Sequence, residues 1–74
     1  MTLGQRIRAA REGADLSQIK LSSLLGINQT TLSKWERGAN EGPGLTHGLR
    51  ICEACNVSLL WLATGLPPAF EAAA

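Results

Sequence analysis

Apolar residues return at every third or fourth position along most of this chain, and the places where that rhythm stops divide it into five helical segments. Leu3, Ile7, Ala10 and Ala14 recur at i, i+4, i+7 and i+11 behind Thr2 and Gln5, which have the spacing of a capping box. They predict a first helix ending near Gly13. Ser17 is a suitable N-cap for a short second helix bearing Leu21 and Leu25, and Gly26 supplies the positive φ that stops it. Asn28 caps a third helix from Gln29 to Arg37, its side chain expected to bond first-turn amides, and Gly38 ends that helix. ANEGPG, residues 39 to 44, is the strongest loop signal. Beyond it Leu45, Leu49, Cys52 and Cys55, with Ile51 alongside, resume helical spacing as the apolar face of a fourth helix, with Asn56 as its stop. Ser58 caps a last short helix, LLWLAT, closed by Gly65. Pro67 and Pro68 then break the pattern. The expected organisation is one domain over residues 1–66 and a flexible tail or truncated linker over residues 67–74. With no strand-period segment, repeat or charge block, the class is all-α.

Composition narrows this picture only a little. Seventy-four residues suit a single small core, and 45% hydrophobic with 18% charged residues is a composition that folds. Seven Lys plus Arg stand against six Asp plus Glu, so a formal charge of +1 argues neither for nor against nucleic acid. The N-terminus lacks the apolar run of a signal peptide and no stretch is long enough to span a membrane, which leads us to expect a cytoplasmic protein with no membrane contact. Cys52 and Cys55 form a C-x-x-C, but zinc would need further ligands and His47 is the one histidine, so core thiols are expected rather than a metal site. No cofactor is expected. No paired carboxylates, nucleophile–base pair or glycine-rich phosphate loop is present, so the chain does not read as an enzyme.

The chemistry lies in the third helix. At 100° per residue, Gln29, Thr30, Ser33, Lys34 and Arg37 fall within an arc of about 140°, while Leu32 and Trp35 point away from it. That arc carries amide, hydroxyl, ammonium and guanidinium groups, all hydrogen-bond donors, and no carboxylate. A base edge and a phosphate would match such a face. Gly26 and Ile27 leave almost no linker between the second and third helices, which must therefore cross sharply.

LSQIKLSSLLGINQTTLSKWERG, residues 16 to 38, resembles the helix-turn-helix of the lambda-repressor/Cro-like (XRE-type) DNA-binding family, and RICEACNVSLLWLATG, residues 50 to 65, resembles that family's last two helices. The resemblance covers roughly residues 3 to 65. It implies a compact five-helix domain, a double-stranded DNA partner and a homodimer on a palindromic operator. It also implies roles for single residues. Gln29 and Thr30 would read bases in the major groove, where Gln can pair with adenine and the Thr methyl can touch a thymine methyl. Ser33 and Lys34 lie one turn on and would reach a base edge or a phosphate. Gln18, Asn28, Arg37 and Asn40 would meet the DNA backbone, Gln18 also bracing the reading helix. Ser22 stands where a small residue lets the two helices approach, Gly26 is the turn glycine, and Ile27, Leu21, Leu25, Leu32 and Trp35 match core positions. Arg11 and Glu36 match a pair that forms a partly buried salt bridge between the first and third helices.

Two departures from the family pattern matter. The loop ANEGPGLTHG contains Glu41 and no Lys or Arg, so phosphate contacts there rest on Asn40, Thr46, His47 and backbone amides, with Arg37 and Arg6 or Arg8 supplying charge. Leu60 stands where relatives place an acidic residue, and Leu66 and Phe70 follow it, so with Trp61 they are expected to form a dimer interface. Trp61 reads equally well as core. The leading expectation is a phage- or prophage-type transcriptional repressor. The alternatives are an antitoxin-like module that masks a partner protein and touches DNA secondarily, and a restriction-modification controller.

Overall fold

The computed structural model describes residues 1–70; residues 71–74, the end of the expected tail, lie outside them. Five helices follow in order among the described residues: α1 (Leu3–Gly13), α2 (Gln18–Leu25), α3 (Gln29–Arg37), α4 (Leu45–Cys55) and α5 (Leu59–Thr64). Their limits have local causes. Thr2 and Gln5 close a reciprocal capping box on α1, the Gln5 amide donating to Thr2 Oγ1 at 3.1 Å and the Thr2 amide to Gln5 Oε1 at 2.9 Å. Ser17 and Ser58 accept from the third-position amides of α2 and α5. Gly26, Gly38, Asn56 and Gly65 end α2 to α5 in the left-handed region.

One core lies where the helices meet. Ile7 and Ala10 of α1, Leu21 and Leu25 of α2, Leu32 and Trp35 of α3, Ile51, Cys52 and Cys55 of α4, Val57 in the following turn and Leu62 of α5 are all buried together. Leu3, Ile27, Leu59 and Trp61 pack against its margin. Leu45 and Leu49 do not join it. Both were expected on the apolar face of α4, yet Leu45 is 70% exposed and Leu49 is exposed too, because α4 turns Gly48, Ile51, Cys52 and Cys55 inward instead. A helical stripe of that width has an edge, and these two leucines lie on it.

Past Gly65 the chain folds back. The Ser58 amide donates to the Ala69 carbonyl at 2.8 Å, Ser58 Oγ donates to the Pro68 carbonyl at 3.1 Å, and Val57 and Phe70 form an isolated antiparallel bridge. Residues 68–70 are thus tied to the α4–α5 turn. No helix among the described residues is long and apolar enough to cross a membrane.

Arg6 is buried and braces the far end of the molecule. Its Nε donates to the Leu62 carbonyl at 2.8 Å, Nη2 to the Ala63 carbonyl at 3.3 Å and Nη1 to the Met1 carbonyl. A cation therefore meets the negative end of α5, tying a six-residue helix to α1. Arg6 was expected to supply charge at the outer face; the structure corrects that, since its guanidinium is consumed inside.

At Gly4 the first turn of α1 lies directly on the last turn of α3. A Cβ there would meet the Trp35 carbonyl oxygen and sit 2.6 Å from that of Glu36. Backbone cannot yield as a side chain can, so Gly4→Ala should cost about 3 kcal/mol of overpacking strain, the upper end of the usual range, outweighing the gain of about 1 kcal/mol in helix propensity. Thermal unfolding should show a melting temperature lowered by about 4 °C or more; a rise would mean that α1 and α3 separate freely.

Candidate nucleic-acid interface

The short turn at Gly26 and Ile27 sets α3 across α2, with the Ile27 amide bonded back to the Ser22 carbonyl at 3.0 Å. Ser22 is buried at this crossing, its hydroxyl donating to the Ile19 carbonyl at 2.9 Å, so a small side chain sits where the helices approach. Leu32 and Trp35 anchor the inner side of α3 in the core. Its outer side carries Gln29, Thr30, Lys34 and Arg37 in the open and Ser33 half-buried. One helix therefore presents five donor-bearing side chains with no acid among them.

Behind this face lies a chain of polar contacts. Arg11 of α1 grips the Glu36 carboxylate with two bonds, Nε to Oε2 at 2.7 Å and Nη2 to Oε1 at 3.1 Å. The pair is nearly dry, with side-chain exposures of 12% for Arg11 and 3% for Glu36. Arg11 Nη1 also donates to the Leu16 carbonyl at 2.9 Å, fixing the α1–α2 turn. The hydrogen bond to Glu36 raises Arg11 above the ordinary guanidinium value, so it stays charged at any working pH. Gln18 Nε2 donates to the same Glu36 Oε1 at 3.1 Å, and Gln29 Nε2 donates to Gln18 Oε1 at 3.4 Å. Glu36 thus faces inward, away from the donors on the other side of its helix.

The remaining candidates divide. Asn28 makes no side-chain cap bond, contrary to the capping expected of it, so its amide remains available at the exposed start of α3. Asn40 uses Oδ1 to accept from the Gly42 amide at 3.0 Å, which shapes the loop and leaves its nitrogen outside that bond. Arg37 Nε turns back to the Ser33 carbonyl at 3.3 Å. Arg8, expected like Arg6 to add charge, pairs instead with Glu12 one turn on at 3.4 Å. Leu60, Leu66 and Phe70 are exposed, whereas Trp61 is half-buried against the core. His47 packs its ring on Trp35, centroids 5.6 Å apart.

Cys52 and Cys55 are buried. Burial, reinforced by the neighbouring Cys52, pushes the Cys55 thiol up to about 11, which keeps it protonated and unreactive near neutral pH. Among the described residues no group of three His, Cys, Asp or Glu side chains is placed to hold a metal.

This architecture is that of a helix-turn-helix protein. The chain matches the helix-turn-helix family over residues 7–62 and belongs to it, in its lambda-repressor-like (XRE-type) branch. It is similar to the uncharacterized HTH-type transcriptional regulator y4dL of Sinorhizobium fredii, 37% identical over 67 residues that make up 90% of this chain and 34% of that protein. This chain therefore spans about a third of that relative's length. Among solved structures it resembles the P22 c2 repressor in complex with a synthetic operator (TM-score 0.78, 31% identity, 88% of this chain and 97% of that one). It also resembles SinR of Bacillus subtilis in complex with DNA (TM-score 0.76, 26% identity, 84% and 98% of the two chains).

Removing Glu36 would strand the Arg11 guanidinium in a nearly dry site. Glu36→Ala should cost about 3–5 kcal/mol, and DNA affinity should fall with it as α3 loosens. An unchanged melting curve for this variant would show that the pair does not hold α3.

Proposed function

We propose that the chain is the DNA-binding module of a transcriptional regulator, a repressor of the phage or prophage kind, that lays α3 in the major groove of a palindromic operator as a homodimer. The carrying observation is the exposed, donor-bearing face of α3, backed by the ion pair of Glu36 with Arg11. Its likeness to the P22 c2 repressor and SinR, each solved with DNA, supports the reading. Gln29 and Thr30 read bases, Ser33 and Lys34 reach a base edge or a phosphate, and Gln18, Asn28, Arg37 and Asn40 position the backbone. The module acts in the cytoplasm by occupying DNA and performs no catalysis. Leu60, Leu66 and Phe70, with the edge of Trp61, form the contact between copies, which sets two α3 helices about 34–36 Å apart.

Selection of bound sites from a random duplex pool tests this directly. Gln29→Ala should cost about 1–3 kcal/mol and relax preference at one base pair, whereas Lys34→Ala, if it meets phosphate, weakens all sites alike. The slope of log K against log[salt] should be shallower than about −10, because few phosphates are neutralised. Failure of the wild-type chain to enrich any sequence would remove the reading.

The exposure of Leu60, Leu66 and Phe70 also favours a second reading, in which these side chains receive a different protein, as an antitoxin-like module would. Sedimentation separates the two. Leu60→Asp should shift the chain from dimer to monomer at concentrations where the wild type is paired; an unchanged dimer would place the self-contact elsewhere.

A further inference from the structure

The DNA reading leaves open which way round the Gln29 amide is offered to a base, and the contacts behind it answer that. A carboxylate beside an arginine accepts hydrogen bonds and donates none. Glu36, paired with Arg11, can therefore meet Gln18 only through the amide nitrogen, as it does at 3.1 Å. The Gln18 oxygen is turned outward, and an oxygen can meet Gln29 only through that residue's own NH2 group, as it does at 3.4 Å. Reversing Gln18 alone would press its oxygen on the carboxylate and set its NH2 against that of Gln29; reversing Gln29 alone would oppose two oxygens. Direction thus passes from the buried pair to the exposed face: Arg11 donates to Glu36, Gln18 donates to Glu36, and Gln29 donates to Gln18.

One N–H of Gln29 is committed to Gln18, leaving one N–H and its Oε1 for a ligand. Adenine in the major groove offers one acceptor, N7, and one donor, the N6 amino group, whereas guanine offers two acceptors, N7 and O6. An amide with one donor and one acceptor remaining matches adenine and sets its oxygen against O6 of guanine. We infer that Glu36 is a specificity-determining positioning residue: acting through Gln18, it sets the polarity of the Gln29 amide and so selects adenine over guanine at the base pair Gln29 reads. This rests on the DNA reading above, and it gives the buried acid a role in sequence preference as well as in stability.

The test is a set of duplexes that differ only at the base pair where Gln29→Ala loses preference, bound by the wild type, Gln18→Ala and Glu36→Gln, with melting curves for each. The wild type should prefer adenine to guanine there by about 5- to 150-fold, the range of one bidentate contact. Gln18→Ala removes the relay and keeps the Arg11–Glu36 pair. Its overall affinity falls, so the readout is the adenine-to-guanine ratio, which should shrink by about fivefold or more while ratios at other base pairs hold. Glu36→Gln can donate to Gln18 and let both amides turn over, shrinking the same ratio, and an unchanged ratio in it overturns the role of Glu36; if it does not fold, an unchanged ratio in Gln18→Ala still refutes the relay. A role for Glu36 confined to stability would lower binding to every duplex evenly. An unchanged ratio in Gln18→Ala, or wild-type preference for guanine, overturns the inference and leaves the DNA reading standing. Absence of any sequence preference in the wild type overturns both.

Discussion

The Glu36 carboxylate is almost out of water, and three N–H groups from two other helices converge on it. Taking a charge from water costs several kcal/mol, a cost offset only when its partners hold good geometry. Arg11 and Gln18 cannot shift independently, because any gap between them would open onto a bare carboxylate. Arg11 also holds the Leu16 carbonyl, so the turn into α2 is tied to the same point. α1, α2 and α3 are thereby held in a single register, and the outer face of α3 takes its orientation from it. Such a pair adds little net stability compared with well-packed apolar residues, but it penalises every other arrangement.

At the opposite end, Arg6 does for α5 what Arg11 does for α3. A helix of six residues has almost as many unpaired terminal carbonyls as internal bonds, and without an outside partner it would be marginal. The guanidinium of Arg6 supplies donors to Leu62 and Ala63, while Leu62 enters the core. The exposed Leu60 is therefore carried on an anchored element, and Leu66 follows just past its end.

Helix limits were legible because each depends on neighbours in sequence: Thr2 and Gln5, Ser17, Gly26, Gly38 and Asn56 act within one turn of their own position. The Arg11–Glu36 contact came from family resemblance, since nothing in spacing relates residues 25 apart. What periodicity could not supply was the identity of the covering element. Leu45 and Leu49 share helical spacing with Cys52, yet both stay exposed. Arg6 looks like any surface cation until α5 is folded against it. Asn28 has the right residue type for a cap, yet its side chain does not make the bond, which no local rule foretells. The two bonds of Ser58 to Pro68 and Ala69 join residues about ten apart across two prolines, a segment whose composition signals only a break.

The low charge of the chain gains a physical meaning once its cations are followed to their places. Of seven, Arg6 and Arg11 work inside and Arg8 is paired with Glu12, leaving Lys20, Lys34, Arg37 and Arg50 exposed. Each phosphate neutralised by a cation adds about 0.9 to the salt slope and attracts any duplex alike. Neutral donors such as Gln29, Thr30, Ser33 and Asn28 add nothing to that slope, and they bind only where an acceptor meets them at the right distance and angle. For a DNA-binding module this shifts the balance from attraction toward discrimination. With weak non-specific binding, the same few base contacts produce a larger ratio of specific to non-specific affinity, and that ratio decides occupancy among many competing sites. An interface of this kind depends on the orientation of its amides, and a buried acid that accepts hydrogen bonds and donates none is a physical means of holding them.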